Sequence, residues 1–306
     1  AGERAARSTL KSFLQVRGFD YRKALSSPLT AEDGCSRLSP HLAFGTLSMR
    51  TVHQATEVAI DHTPDRGLAY ALRGFAGRLR WHCHFMQKLE DEPAIAFHNF
   101  ARVFDGLREE RPTDFNQAHF AAWCEGRTGY PMVDACMRSL IRTGWLNFRM
   151  RAMLVSVAAY PLWLHWRPVG EWLATQFLDY EPGIHWSQLQ MQSGTTGINT
   201  TRVYNPIKQA QDHDPHGVFV RRWLPYMRSV PDTWLFEPWQ MPAPLQAQLG
   251  QGTDIPQPLI ELASATRTAK QRLHARRQTS EVRAGKKAVV EKHASRKTIN
   301  RPKAVS

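Results

Sequence analysis

Four charged side chains and one hydroxyl-rich turn hold most of the chemistry this sequence offers. Arg149 and Arg151 stand before an apolar run, and Asp179 and Glu181 stand beyond it. Guanidinium and carboxylate groups in an apolar setting are costly unless they serve a ligand or each other. Arginine offers only N–H donors and carboxylate only acceptors, so together they can fix opposite edges of a flat polar ligand. The same four residues also fit an ordinary interhelical salt bridge. Upstream lies Cys35-Ser36-Arg37-Leu38-Ser39, where small hydroxyls and one guanidinium share a turn. Such a turn can hold a diphosphate through charge-assisted bonds and backbone N–H groups. It can equally be a simple helix cap. Trp81, Trp145, Trp166 and Trp186 are candidates to stack a ring or pass single electrons, or to fill core. The run His82-Cys83-His84 resembles a metal fragment, but neighbours on a helix point apart and no fourth ligand follows, so no metal is expected.

The elements that must position these groups read as helices. Residues 2–16 place Leu10, Phe13 and Leu14 on one side. Ser48 is placed to cap a helix carrying Val52, Ala55 and Ala59. Residues 67–89 repeat apolar side chains at i, i+3, i+4 and i+7, the pattern of an amphipathic helix. Asn116 caps a helix with Phe120 and Trp123, and Pro131 opens another that ends before Gly144. Two further helices are expected over 145–159 and 168–178, the second opened by Pro168, followed by a loop-rich segment from Asp179 to Asn205. Residues 215–240 read as short helical turns among prolines, 240–258 as a linker, and a last helix begins near Pro258. No sustained alternation marks a strand, so the expectation is all-α. No GxGxxG or GxxxxGK[ST] is present, which argues against a Rossmann or P-loop nucleotide site.

Composition sets the remaining bounds. Apolar residues make up 42% of 306, enough for a sizeable core. The net charge of +13 is uneven: residues 276–306 hold ten Lys/Arg against two Glu, and the rest of the chain 30 against 25. That tail is expected to be disordered and either to seek a polyanion such as nucleic acid or to serve solubility. The four cysteines, Cys35, Cys83, Cys124 and Cys136, form no CxxC and fit a reduced, cytoplasmic compartment. The apolar run 152–166 is broken by Pro161 and is shorter than the ~20 residues of a membrane span. No signal peptide pattern opens the sequence.

Four motifs in order resemble the helical flavin-binding domain of the photolyase/cryptochrome family, across nearly all of residues 1–275. They are GERAARSTLKSFL, CSRLSPHLAFGTLS, EGRTGYPMVDACMRSLIRTGW and NPIKQAQDHDPHGVFVRRWLP. The resemblance implies that FAD is the cofactor. It implies that Tyr21, Cys35, Ser36, Arg37, Leu38 and Ser39 line the FAD phosphates, with Cys35 in place of the usual Thr, and that Phe75 contacts the cofactor. Arg151 and Asp179 take the places of the Arg–Asp pair beside the isoalloxazine, Glu181 that of a second Asp, and Trp145 flanks the pocket. Trp166 matches the middle tryptophan of an electron relay. Trp186 lies near the proximal one, where Ser187 aligns about as well, and Phe115 is the aromatic nearest to the surface one.

The substrate side departs from that pattern. Arg78 stands where cyclobutane-dimer photolyases carry Glu, and His82 follows the stacking Trp81 in place of Arg. Phe148 replaces the Asn of the arginine-bearing motif, Arg149 remains to hold phosphate, and Leu189 replaces a second stacking Trp. Arginine only donates hydrogen bonds, and leucine cannot stack on a base as tryptophan does. The expected function is light-driven electron transfer from reduced FAD to a UV-induced pyrimidine photoproduct flipped out of DNA, a lyase reaction, by a monomer. The alternatives are a cryptochrome-like blue-light receptor and a DNA-binding flavoprotein without repair. Residue 1 falls at the start of the flavin domain, so the family's N-terminal antenna domain is expected to be absent.

Overall fold

The computed structural model describes residues 2–109, 115–197, 202–249, 255–280 and 282. Among them there is no strand, as the lack of alternation implies. Ten helices of eight residues or more among the described residues make the frame: α1 Gly2–Gln15, α2 Met49–His62, α3 Arg66–Asp91, α4 Gln117–Cys124, α5 Pro131–Thr143, α6 Phe148–Ala159, α7 Trp166–Gln176, α8 Pro182–Ser193, α9 Pro206–His213 and α10 Leu262–Arg277. No described helix is long and apolar enough to cross a membrane.

Local chemistry fixes many of the ends. The Ser48 hydroxyl accepts from Thr51 N and the Asn116 carbonyl from His119 N, each satisfying an N–H that its helix leaves open. Pro131 stands at the first turn of α5, and Gly144 ends it at φ 70. A side chain at Gly144 would also strike Leu178, 2.4 Å from the ideal Cβ.

Three expectations are corrected. The helix expected from 145 begins at Phe148, because Asn147 is extended and its amide donates to Leu25 O and Ser26 O. The helix expected from Pro168 begins at Trp166, capped by the His165 ring, which accepts from Arg167 N. The segment expected to be loop-rich contains α8. Pro182 there starts a helix, and the helix is buried on several sides, so no stripe of apolar residues marks it.

The apolar interior divides into a large cluster and two smaller ones. The large cluster gathers α5 to α8 with residues from 204 to 262. The second joins α1, α2 and the first half of α3 to Tyr21, Leu38 and Leu47. The third packs Phe104, Tyr160, Ala269 and Leu273 under α10. α10 continues past residue 275, and the Arg276 guanidinium donates to Val103 O at 2.7 Å and to Asp105 O at 3.3 Å. Val282 is buried in the third cluster. The expected disordered tail otherwise lies outside the described residues from 283 onward.

The contact between α3 and α8 is unusually close. A Cβ at Gly183 would lie 2.6 Å from Met86 Cε and 2.7 Å from Phe85 O. Backbone cannot move aside as a flexible side chain can. Gly183→Ala is therefore expected to cost about 1–3 kcal/mol, read as a lowered urea midpoint with an unchanged slope.

Candidate cofactor and substrate site

The hydroxyl-rich turn is built from outside. Arg17 donates to Ser12 Oγ and to the carbonyls of Thr9, Asp33, Cys35 and Ser36, at 2.6 to 3.2 Å. These five bonds hold residues 33–36 against α1. Within the turn Arg37 has φ 59, a left-handed conformation that costs a non-glycine residue about 1–3 kcal/mol. It aims the guanidinium over the Trp145 ring, 3.9 Å from Cζ to centroid. Among the described residues Arg37 makes no hydrogen bond. Burial lowers its pKa, against the opposing fields of Glu32, Cys35 and Asp179. The Cys35 thiol is pushed up to about 11 by burial, so it stays neutral.

Tyr21 and Phe75 close one side of this turn. Their rings meet edge to face at 5.8 Å, and Phe13 touches both. Burial raises the Tyr21 hydroxyl to about 12, while the Arg78 guanidinium beside it pulls the other way. Arg78, expected to face substrate, thus lies against a residue of the cofactor set.

At the other end of the site, Arg151 Nη2 meets Asp179 Oδ2 at 2.8 Å. Arg151 Nε donates to Leu146 O, and its Cζ lies 4.1 Å over the Phe177 ring. The Asp179 side chain is 3% exposed, yet among the described residues its Oδ1 has no partner. A buried acceptor without a donor is costly, and a ligand N–H or O–H would remove that cost. Glu181 follows in the turn that opens α8, with Oε2 3.9 Å from His82 Nε2 of α3.

A row of rings leads inward from Arg151. Phe177 touches His185 at 6.2 Å, His185 touches Trp186 at 4.8 Å, and Trp186 touches Trp166 at 5.9 Å. Trp166 Nε1 donates to Asn99 Oδ1. Trp186 rather than Ser187 supplies the ring in this row. His185 was not singled out from sequence; its one signal is its place beside Trp186. Phe115 lies elsewhere, packed on Phe120, which in turn packs on Trp123.

The expected substrate residues separate. Trp81 and Phe148 are exposed, by 46% and 48%, as a surface that stacks a base requires. Arg149 is half-buried, and its Nε lacks a partner among the described residues. Leu189 is not available: it is 2% exposed and fills the notch at Gly170, so its assignment to substrate is withdrawn. Cys83 and His84 line a separate 200 Å³ pocket with His53 and Arg80, and no described group of His, Cys, Asp or Glu could hold a metal.

The donor set fits FAD. A guanidinium-bearing turn suits its diphosphate, and the unfilled Asp179 acceptor suits a ring N–H or a ribityl hydroxyl. Comparison with known proteins agrees. A family described as the FAD binding domain of DNA photolyase matches residues 75–275. The chain is 33% identical to a deoxyribodipyrimidine photo-lyase of Escherichia coli over 85% of its own length and 53% of that protein. It is 30% identical to a cryptochrome DASH of Gloeobacter violaceus, over 84% and 49%. A bacterial class III photolyase from Agrobacterium tumefaciens superposes with a TM-score of 0.80 at 26% identity, covering 91% of this chain and 57% of that one. A Synechocystis cryptochrome gives 0.80 at 27% identity, over 89% and 56%. The chain spans about half the length of the curated relatives it matches.

Proposed function

The chain belongs to the photolyase family through its FAD-binding domain, and from that membership we propose that it is a light-driven repair flavoprotein acting on pyrimidine photoproducts in DNA. The observation that carries this reading is the Arg151–Asp179 pair at one end of the site, its carboxylate buried and one carboxylate oxygen without a partner among the described residues. Bound there, FAD supplies an electron on excitation. The protein's own part is to bind, orient and neutralise. Arg37 and the turn held by Arg17 neutralise the diphosphate. Arg151 would supply a fixed cation to a flavin held there, which would favour an anionic reduced form. Trp81 offers an exposed face to a flipped base, and Arg149 an N–H to backbone phosphate.

The test is illumination of the reduced protein with oligonucleotides carrying a cyclobutane dimer or a (6-4) product. Conversion of one of them to intact pyrimidines is expected, with affinity falling steeply as salt rises. Loss of neither lesion under light would overturn repair.

A second reading, a cryptochrome-like photoreceptor, is favoured by two observations. Leu189 is turned into the core, and Arg78 faces Tyr21. On this reading Trp186 and Trp166 would relay an electron from an external reductant to a flavin held by Arg151 and Asp179. Trp166→Phe is then expected to slow photoreduction in DNA-free protein by tenfold or more, on the order of a typical barrier change of 1.4 kcal/mol. An unchanged rate would remove the Trp186–Trp166 row from the path.

A further inference from the structure

A pair at the edge of the site carries an inference that rests on the flavin reading above. His82 lies in the second half of α3, and Glu181 in the turn before α8. The close approach of the two helices at Gly183 brings their side chains to 3.9 Å, with 22% and 25% of each exposed. Among the described residues neither side chain has another ion-pair or hydrogen-bond partner. A guanidinium keeps its charge at every physiological pH, and an imidazole does not. We propose that His82 and Glu181 form a titrating pair that takes up one proton when negative charge arrives at the Asp179 end of the site, so that reduction of the bound cofactor is tied to pH. The electrons come from a donor in solution and the proton from solvent.

His84, two residues on along α3, has its pKa lowered by burial and by Lys88, but it packs against Trp81 and Phe85 and lines the separate pocket with His53, since residues two apart on a helix do not share a face. On α3 Arg78 stands one turn before His82, beside the Tyr21 hydroxyl. From the turn after α7 comes Asp179, held by Arg151 of α6. From the hydroxyl-rich turn comes Arg37. Three of these are fixed cations, and the fourth is an anion already paired. On α8 His185 Nε2 donates to Gly170 O, and burial lowers its pKa to about 4, below the range in question. Cys35 and Tyr21 lie far above that range. Burial acts on both members of the pair in the neutralising sense, lowering His82 and raising Glu181. Added negative charge nearby opposes the first shift and reinforces the second. At low pH His82 is protonated whatever the cofactor's state, and at high pH it is not. Between these limits reduction draws the proton in.

Two arms test this. In flavin-free protein, the His82 imidazole is followed by NMR against pH; Glu181→Gln is expected to move its titration to lower pH, and no movement would show that the two do not interact. In FAD-loaded protein, the midpoint potential is measured from about pH 5 to about pH 8 in wild type, His82→Arg and Glu181→Gln. Expressed as the ratio of reduced to oxidised FAD affinity, wild type is expected to change about tenfold more across that range than His82→Arg, within the usual span of coupling between sites. Equal slopes in the two proteins would overturn the proposal. His82→Arg keeps a cation in place, and retained FAD absorbance certifies its fold. A wild-type protein that takes up no flavin would count against the function proposed above, while the NMR arm still decides the pair.

Discussion

Arg151→Met is expected to cost this protein about 3–5 kcal/mol of stability and its cofactor as well. The substitution keeps the volume of the side chain's stem but leaves Asp179, 3% exposed, as a buried anion with neither oxygen satisfied. The bond to Leu146 O and the contact with Phe177 are lost at the same time. Urea unfolding reads the stability, and flavin absorbance after gel filtration reads the cofactor. The double variant Arg151→Met/Asp179→Leu separates the two effects. Removing both charges together is often close to neutral for folding, so stability is expected to return while flavin binding does not. If the double variant regained both, the pair would be a structural bridge with no part in holding the cofactor. If the single variant lost neither, the buried pair would be idle.

Acid is expected to unfold the protein through two buried histidines. His165 and His185 are each held from 6.5 down to about 4, mainly by burial. His165 also uses its Nδ1 as the acceptor that caps α7, a role protonation would end. The sign follows from which state binds more protons. Below pH 6.5 the unfolded chain protonates these rings and the folded chain does not, so stability falls as pH drops from about 6.5 toward about 4. Each ring contributes a loss on the order of 3 kcal/mol at the low end of that window. Asp134 works the other way. Burial raises it to about 6 although Thr128 N, Thr128 Oγ1 and Gly129 N all donate to it. It therefore favours folding below the ordinary carboxylate range and loses that advantage as pH rises through 6, which offsets part of one histidine's effect. Thermal unfolding from pH 7 to pH 4 measures the balance. His185→Gln is expected to flatten the profile by about one proton, and an unchanged profile would remove His185 from the account.

What could be read from sequence was what is local. Ser48 and Asn116 mark helix starts within three residues of the N–H groups they satisfy, Pro131 and Gly144 bound one helix, and each lies where its residue type places it. Leu72, Phe75 and Leu79 lie on one face of a long helix, and they are buried. The helix from Pro182 escaped because periodicity needs one wet face, and this helix has little of one. The site was legible only as a resemblance. Arg151 and Asp179 are 28 residues apart, and nothing in either neighbourhood names the other. Arg17 gave no signal at all, since its five bonds go mostly to backbone carbonyls, which have no sequence identity. Leu189 misled for a related reason: its place along the chain matched a stacking residue, but the notch at Gly170 offers an aliphatic side chain a better berth inside.

The division of the interior bears on how the protein comes apart. Tyr21, Leu38 and Phe75 belong to the cluster formed by α1 to α3, whereas Phe177, Trp186 and Trp166 belong to that of α5 to α8. A ligand that touches residues of both spans the seam between two hydrophobic units that fold around separate centres. Its binding energy is then shared by both units, and each gains from the other's integrity through mass action. With cofactor, denaturation should pass through a single cooperative transition. Without it, amide exchange across the first 90 residues should part company with exchange across α5 to α8, and the cofactor would act as the mortar that makes two foldons one.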